Sequence, residues 1–415
     1  MPRFMTTSEL AAANGTVRMS RWTALVLLAF AVLLGMSLWF GLSAVAPRVA
    51  AEWNLTAAQT AWLTLAVQLG FVAGTLMSGL LNLPDVIRAR YLFALCAFAG
   101  AAVNAVLAWS VHSAGPAIAL RFATGMFLAG VYPPGMKIIA TWFRTGRGFA
   151  LGVLVGALTL GKASPYLVNA VGSSSWRVNV TWVSVFAVAG GIVVLLLHDG
   201  PYALPNQPFD IRQAVSAYAN RGVRLANFAY FGHMWELYAM WTWAPVMIRA
   251  SIAATGGRPA LAEAASFAVI GSGAVGCVAA GLLADRIGRT VVASAAMAIS
   301  GICCIAVGFL YGRSEWALLV IAVIWGASVV ADSAQFSASV TELGDPRYIG
   351  TVLTLQTCIG FLITTVSIDV VPVLQHAVGW EWTFAALAPG PFLGIAAMLR
   401  LRASPESVKL AGGRR

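Results

Sequence analysis

The sequence predicts an all-α membrane protein with twelve transmembrane helices. Of its 415 residues, 60% are hydrophobic and only 10% are charged, and the mean hydropathy is +0.82. A soluble domain of this length could not bury so much apolar surface. Twelve apolar stretches are each long enough to cross a hydrocarbon core of ~30 Å, which takes roughly 20 residues of helix. Backbone groups in lipid must bond within their own segment, so each stretch is expected to be helical.

The twelve predicted spans form two sets of six. The first set is expected at about 22–45, 58–82, 91–112, 114–140, 147–171 and 176–198. The second set is expected at about 225–251, 260–284, 291–311, 315–338, 348–373 and 380–401. The boundary between spans three and four has few turn signals, namely His112, Ser113, Gly115 and Pro116.

A polar interval divides the two sets. It is the longest between any two spans and contains three prolines. We therefore divide the chain into a cytoplasmic N-terminal tail (1–21), a first six-helix bundle (22–198), a cytoplasmic linker (199–224), a second six-helix bundle (225–401) and a cytoplasmic C-terminal tail (402–415). A faint internal repeat agrees with this division, because Gly74 and Gly79 of span two recur as Gly276 and Gly281 of span eight.

The net charge of +11 is explained by orientation in a membrane and does not indicate a nucleic-acid partner. With twelve spans and both termini inside, the inner segments hold 18 Lys and Arg residues against 5 in the outer loops. The positive-inside rule then places both termini in the cytoplasm of a multi-pass protein in the bacterial inner membrane. The first 21 residues lack the apolar core of a cleavable signal, so span one is expected to stay as an anchor.

Nothing in the sequence indicates an enzyme or a cofactor. It has no phosphate-binding glycine loop with a Lys and no zinc or nucleophile constellation. All five cysteines fall in apolar spans without metal-ligand spacing to a His, so they are expected to be free thiols and no metal site is predicted.

The segment between spans eight and nine carries the most specific motif. It reads GLLADRIGRT from Gly281 to Thr290 and resembles the G-x-L-A-D-R-x-G-R motif of the major facilitator superfamily, which lies in cytoplasmic loops. A Gly allows close helix packing, and a loop Asp can accept hydrogen bonds from a helix N-terminus or pair with Arg. The resemblance implies a lock on the outward-facing state, formed by Gly281, Asp285, Arg286, Gly288 and Arg289. The alternative is an ordinary charged loop that obeys the positive-inside rule.

The corresponding loop of the first half departs from this pattern. Two extra residues, including Pro84, separate Gly79 from Asp85. The first-half lock is therefore weakened, although Asp85 and Arg88 could still supply its charges.

Span four carries a second resemblance to the same superfamily. Arg121, Gly125 and Ala129 match an R-x-x-x-G-x-x-x-A motif whose Arg is tied to substrate or proton handling. The stretch from Tyr132 to Lys137, with the glycines of span five, resembles the bacterial nitrate and cyanate type of anion carrier. The resemblance covers essentially the whole chain. It implies a monomeric carrier with two pseudo-symmetric six-helix bundles that works by alternating access.

Charges inside the spans segregate by half. The first half carries Arg121, Lys137 and Lys162, and the second carries Glu236, Asp332 and Asp369. A charge near the bilayer centre costs ~2.5–3.5 kcal/mol on the insertion scale, so such residues are usually functional. At the helical rise per residue, Lys162 lies ~22 Å and Glu236 ~16 Å from the cytoplasmic ends of their spans. A cavity between the halves would have one cationic and one anionic wall.

These charges support two compatible hypotheses. In the first, Arg121 and Lys162 contact an anionic substrate while Glu236 or Asp332 takes up a coupling proton, because a carboxyl group in an apolar site can exchange protons near neutral pH. In the second, the charges pair across the halves as salt bridges that hold closed states. Lys137 lies near enough to the cytoplasmic end to extend to the interface instead.

The candidate site residues follow from this picture. For substrate binding they are Arg121, Lys162, Lys137, Tyr132, Tyr230, Trp235 and Gln335; for proton coupling they are Glu236, His233, Asp332 and Asp369. His233 and Glu236 share one helix face and could relay a proton. Trp241 and Trp243 are attributed to the aromatic belt at the outer interface.

The sequence thus predicts a transmembrane transporter. The first choice is a proton-coupled symporter of a small anion in the plasma membrane, since no nucleotide site is present to use ATP. The rivals are a proton-antiport efflux carrier for amphiphilic or cationic compounds and a receptor or scaffold that does not transport.

Overall fold

The computed structural model describes residues 19–143, 145–171, 175–202, 212, 218–345 and 348–414. Most of the predicted tail 1–21 and of the predicted linker 199–224 lies outside these ranges. Within them every regular element is a helix. The predicted all-α class is therefore confirmed.

Twelve helical spans follow one another along the described chain, and four of them are broken. The first six are α1 (Arg21–Met36), α2 (Ala57–Leu80), α3 (Ala89–Ser110), α4a (Ala114–Leu128) with α4b (Tyr132–Ala140), α5 (Arg147–Ala170) and α6 (Trp176–Leu195). The other six are α7 (Arg221–Ala254), α8a (Pro259–Gly271) with α8b (Gly273–Ile287), α9 (Arg289–Leu310), α10a (Glu315–Ser328) with α10b (Ser333–Leu343), α11 (Ile349–Val378) and α12 (Pro389–Arg402), which the short helices Trp380–Thr383 and Phe384–Leu387 precede in the same span.

Ten of these spans are long and apolar enough to cross a membrane, counting each broken helix as one. α1 is apolar but has only 16 residues, and the chain after it continues through turns into a short helix, Ala46–Trp53. α7 has 34 residues and is long enough, but its sequence is more polar than those of the ten spans. The twelve-helix prediction is therefore consistent with the structure, although span one was predicted as one continuous helix.

The breaks within spans are the main local difference from the sequence prediction. α4 was predicted to be continuous, but it is interrupted before Tyr132, where Pro133 and Pro134 start the second segment. A Pro fits the first turn of a helix because its missing N–H would have no partner there. α10 is interrupted at 329–332, so Asp332 lies at the N-cap of its second segment. Such breaks place polar groups within the depth of the bundle.

Helices α2 and α5 pack against the second half in the described part of the chain. α2 packs against α11, and α5 packs against α8a, α8b and α10b. The contact of α5 with α8b is made by backbone, because a Cβ on Gly152 would lie 2.6 Å from the Cys277 carbonyl oxygen and one on Gly281 would lie 2.6 Å from that of Gly148. Small residues let membrane helices approach this closely.

Backbone contacts of this kind also occur within each half, and one of them is equivalent in the two halves. A Cβ on Gly125 of α4a would lie 2.2 Å from the Val67 carbonyl oxygen of α2, and one on Gly326 of α10a would lie 1.7 Å from that of Val269 in α8a. The repeated glycines Gly74 and Gly276 take part in the same two helix pairings. The repeat seen faintly in the sequence thus coincides with a repeated packing contact.

An ion pair at one end of the first half should make stability depend on pH. Glu52 accepts hydrogen bonds from Arg177 Nη2 (2.7 Å) and from Trp176 Nε1 (2.6 Å). The hydrogen bond from Arg177, followed by that from Trp176, lowers the pKa of the Glu52 carboxyl. A lowered pKa stabilises the fold at pH values above the unfolded pKa, and this gain is lost as pH falls through the folded pKa.

We expect Glu52→Gln to lower stability at neutral pH by only about 0.2–1 kcal/mol, because the pair is partly exposed to solvent. The difference from wild type should disappear in acid, below the folded pKa. Thermal melts of the two purified proteins across a pH series measure it. A difference of equal size at every pH would contradict the assignment.

Candidate functional site

Lys162 lies at the boundary between the two halves. Its side chain is fully buried in the middle of α5. The ammonium donates a hydrogen bond to the Tyr238 hydroxyl on α7. Among the described residues no carboxylate forms a salt bridge with it. A buried cation without an acidic partner is costly, so this position is a candidate for binding an anion.

Three aromatic rings surround the Lys162 ammonium, and we call them the Lys162 cage. The Nζ atom lies 3.9 Å from the ring centroid of Trp39, 4.4 Å from that of Tyr238 and 5.0 Å from that of Trp241. These distances are within the range of cation–π attraction, which stabilises a cation in a dry site. The cage joins residues from α7 and from the segment just after α1, so it spans both halves of the chain.

Trp241 corrects one sequence interpretation. It was assigned to an aromatic belt at the outer interface, but it is 0% exposed and contacts Phe40 and Tyr238. Trp243 is partly buried and donates a hydrogen bond to the Ile368 carbonyl oxygen at 2.9 Å. A Trp in a membrane helix can lie in the aromatic belt at the interface or in the buried core, and only the packing of the helices shows which.

Arg121 lies near the same region, but each of its three guanidinium nitrogens donates a hydrogen bond to a backbone oxygen. Its Nε donates to the Leu63 carbonyl oxygen (3.1 Å), its Nη1 to that of Leu38 (3.0 Å) and its Nη2 to that of Trp39. The guanidinium therefore ties α4a to α2 and to the turn after α1. It also fixes the backbone beside the Trp39 ring of the cage.

The second half holds a buried histidine cluster. His233 Nδ1 lies 2.8 Å from Asp332 Oδ1, and its Nε2 lies 2.8 Å from the Ser333 hydroxyl. His233 and Asp332 are each 1% exposed. The break in α10 places Asp332 and Ser333 at the start of α10b, where both reach the imidazole on α7. A histidine between a carboxylate and a hydroxyl can accept, hold and pass on a proton.

Glu236 faces a different set of partners. Its Oε1 accepts from Trp325 Nε1 (2.6 Å) and from Cys304 Sγ (2.9 Å), and its Oε2 accepts from the Ser300 hydroxyl (2.7 Å). All of these partners belong to α9 and α10a. The carboxyl group therefore lies inside the second half, one helical turn from His233, and its described hydrogen bonds all stay within that half.

The salt bridges of the candidate charges do not cross between the halves. Lys137 pairs with Asp85 and also donates to the Pro84 carbonyl oxygen at 2.6 Å. His233 pairs with Asp332, as described above. Asp369 is exposed on α11 and takes part in none of the described salt bridges. The hypothesis of salt bridges across the halves is thus not supported by these described pairs.

The remaining substrate-binding candidates are scattered. The Tyr230 ring packs 6.1 Å from His233 and 6.1 Å from Phe336. Tyr132 is half-buried at the start of α4b. Trp235 points toward α12 and donates to the Ala386 carbonyl oxygen at 3.4 Å. The Gln335 amide oxygen accepts a hydrogen bond from Arg289 Nη1 at 3.1 Å, so this side chain contacts a residue of the predicted lock.

The predicted lock does place an acid across the boundary. Asp285, near the end of α8b, lies against the first turn of α5, where a Cβ on Gly148 would come 2.5 Å from its Oδ1. A carboxylate at a helix N-terminus is stabilised by the helix dipole. Gly288 has φ 101°, which a residue with a side chain rarely adopts, and it starts α9. Arg289 then forms a two-point pair with Glu342 at 2.6 and 2.8 Å.

The other charges of the two motif loops remain at the surface. Arg286 is exposed and lines a shallow recess with Asp285, Arg21 and Phe143. Arg88 is exposed at the N-cap of α3. The contact that crosses between the halves is therefore made by Asp285.

We expect Asp285→Asn to weaken closure between α5 and α8b. A charge at a helix N-terminus contributes about 0.3–2 kcal/mol, so the ratio of closed to open molecules should fall by about twofold to thirtyfold. Distances between spin labels at positions 145 and 282, measured by double electron–electron resonance with the native cysteines replaced, report the two populations. Glu315→Gln is the matched control, because it neutralises an acid in the first turn of α10a within one half. Unchanged distance distributions in Asp285→Asn would contradict the lock.

Two residues of the site were missed in the sequence. Trp39 and Gly148 gave no distinct signal, because an aromatic residue or a glycine in an apolar span is common. The contact of Trp39 with Lys162 joins two segments that lie far apart in the chain.

Comparisons with known proteins agree with this architecture. A family model described as Major Facilitator Superfamily matches residues 27–368. No curated protein matches the sequence. The solved structure of the proton:xylose symporter XylE bound to 6-bromo-6-deoxy-D-glucose is similar, with a TM-score of 0.72 over 92% of this chain and 95% of that chain. The two sequences are 12% identical, so this likeness shows the fold alone.

Proposed function

Because the chain belongs to the major facilitator superfamily, we propose that it moves a small anion across the membrane by proton-coupled alternating access. The observation that carries the proposal is Lys162. Its ammonium is fully buried between the two halves, and no described carboxylate pairs with it. An anion that reached this position would supply the missing negative charge.

Proton coupling is proposed for the second half. His233 and Asp332 form a buried pair, and the Ser333 hydroxyl extends it. Glu236 is one helical turn away and is the second acid that could exchange a proton. Uptake of a proton by this cluster would neutralise charge in the second half as the anion neutralises Lys162 in the first. Both halves would then be closer to electrical balance when they move past each other.

The wider setting is proposed from the charge distribution. We place the protein in the bacterial inner membrane as a monomer, with both termini in the cytoplasm, because the Lys and Arg residues favour that orientation. The two six-helix bundles, the tails and the linker keep the boundaries predicted above. The stretch from Tyr132 to Lys137 resembles the nitrate and cyanate type of carrier, but this resemblance concerns the branch of the family and does not set the ligand. XylE is named as a proton:xylose symporter, which agrees with protons as the coupling ion.

The second candidate is efflux of cationic compounds by proton antiport. The Lys162 cage favours it in one respect, since three rings around a cation would also accept a cationic ligand if the ammonium moved away. The positive charge already present at the cage opposes it.

Flux through purified protein in proteoliposomes tests the proposal. We expect labelled anions to accumulate when the outside is acidic, and cationic dyes not to move. Accumulation should collapse when a protonophore removes the pH gradient. Dye export without any anion flux would reject the proposal in favour of the efflux carrier, and no flux of either kind would favour a receptor or scaffold.

A further inference from the structure

The number of bases that are free to contact a ligand at the boundary limits the charge of that ligand. Arg121 is the other buried base of this region, but its three nitrogens donate to the carbonyl oxygens of Leu63, Leu38 and Trp39. Lys137 is occupied by Asp85. Lys162 donates only to a neutral hydroxyl. One ammonium balances one negative charge, so a monoanion fits this position better than a dianion.

Two rings of the Lys162 cage carry hydrogen-bond donors that have no partner. Trp39 is 1% exposed and Trp241 is 0% exposed, and among the described residues neither indole Nε1 finds an acceptor. A buried donor without an acceptor costs about 1–3 kcal/mol. Two such donors on rings that contact the same ammonium indicate a ligand that accepts hydrogen bonds. A carboxylate has four lone-pair positions and can accept from both indoles and from Lys162.

The surroundings of the cage are apolar and aromatic. The Phe71 ring lies 5.0 Å from Trp39 and 4.6 Å from Phe361, and the Phe361 ring lies 5.0 Å from Tyr238. Aromatic faces repel a bare anion but pack well against another flat ring, edge-on or offset. An inorganic anion would have no apolar body to place against these rings. A ligand with a flat unsaturated body would bury that body among them.

We propose that the transported anion is an aromatic or otherwise unsaturated monocarboxylate, whose carboxylate binds Lys162 and accepts from Trp39 and Trp241. This inference rests on the proposed function, because it assigns the ligand class of the same position. The ligand body lies beside Phe71 and Phe361, at the contact of α2 with α11. Entry requires the rings of the two halves to separate, as alternating access provides.

Binding to the purified protein, measured by isothermal titration, tests the ligand class without any mutation. Benzoate should bind about threefold to tenfold tighter than cyclohexanecarboxylate, because only the first has a flat ring. Nitrate should bind at least about tenfold more weakly than benzoate, since it buries no apolar surface. The uncharged benzamide should not bind measurably.

Substitution of the indoles tests the donors. Trp39→Phe and Trp241→Phe keep a ring and remove the N–H, and each should weaken benzoate binding about tenfold or more. Trp142→Phe is the control, because Trp142 donates to the His198 carbonyl oxygen away from the cage. Thermal melts show whether each variant is folded. If a variant does not fold, the comparison of ligands on the wild-type protein still tests the proposal.

The outcomes separate this inference from the function on which it rests. Anion uptake with nitrate bound as tightly as benzoate would overturn the ligand class and leave the anion carrier intact. Equal binding of cyclohexanecarboxylate, or unchanged binding in both indole variants, would also overturn it. Transport of cations alone would overturn both.

Discussion

Lys162→Met should abolish anion transport while leaving the protein folded. Methionine has a similar length and no charge, so the buried position keeps its volume and loses its attraction for an anion. Losing a charge-assisted contact in a dry site should reduce transport about a hundredfold or more. Initial rates of labelled anion uptake into proteoliposomes measure the loss. Thermal melts should show equal or higher stability, because removal of a buried unpaired charge is favourable.

A second substitution at the same contact controls for loss of packing between the halves. Tyr238→Phe removes the hydroxyl that accepts from Lys162 and keeps the ring of the cage. We expect it to retain binding of the anion, since the ammonium remains. Normal uptake by Lys162→Met would remove the anion site from this position. Equal loss in both variants would indicate that the hydrogen bond between the halves matters more than the charge.

Asp332→Asn should uncouple transport from the proton gradient. The amide keeps the shape of the side chain beside His233 but cannot take up a proton. Uptake driven by an acidic outside should fall to the level seen without a gradient. Exchange of labelled for unlabelled anion at equal pH should stay within about threefold of wild type, because exchange needs no net proton movement. The two assays on one preparation of proteoliposomes give this comparison directly.

Glu236→Gln distinguishes the two buried acids of the second half. Glu236 receives three hydrogen bonds within that half. We therefore expect Glu236→Gln mainly to lower the stability of the protein, with a smaller effect on the coupling of transport to protons. If Glu236→Gln alone abolished gradient-driven uptake, the proton would be assigned to Glu236. If Asp332→Asn kept full proton-driven accumulation, the His233 cluster would have no part in coupling.

The membrane class, the span order and the family could be predicted because they depend on local sequence. Hydropathy over roughly 20 residues reports a spanning helix, and the GLLADRIGRT segment is contiguous. The interruptions of α4, α8 and α10 were not predicted, because each covers only a few residues inside a stretch that is apolar as a whole.

The partners of the buried charges could not be predicted, because they come from distant parts of the chain. Arg121 was expected to contact substrate, yet its acceptors are backbone oxygens, and every residue has one. Lys162 was singled out as a base inside its span, and the structure buries it at the boundary, but its role stays a prediction. Asp285 was singled out from its motif and its role as a lock also stays a prediction, whereas Gly148 is one glycine among many.

The glycine contacts within each half have a consequence for how mutations act. Gly125 against Val67 and Gly326 against Val269 bring backbone onto backbone, which leaves no flexible side chains to slide. Each half should therefore move as one stiff unit. The free-energy difference between the inward-open and outward-open forms is then concentrated in the few side chains at the boundary, such as Asp285 and Lys162. Single substitutions there should redistribute the two forms strongly while the melting temperature barely changes.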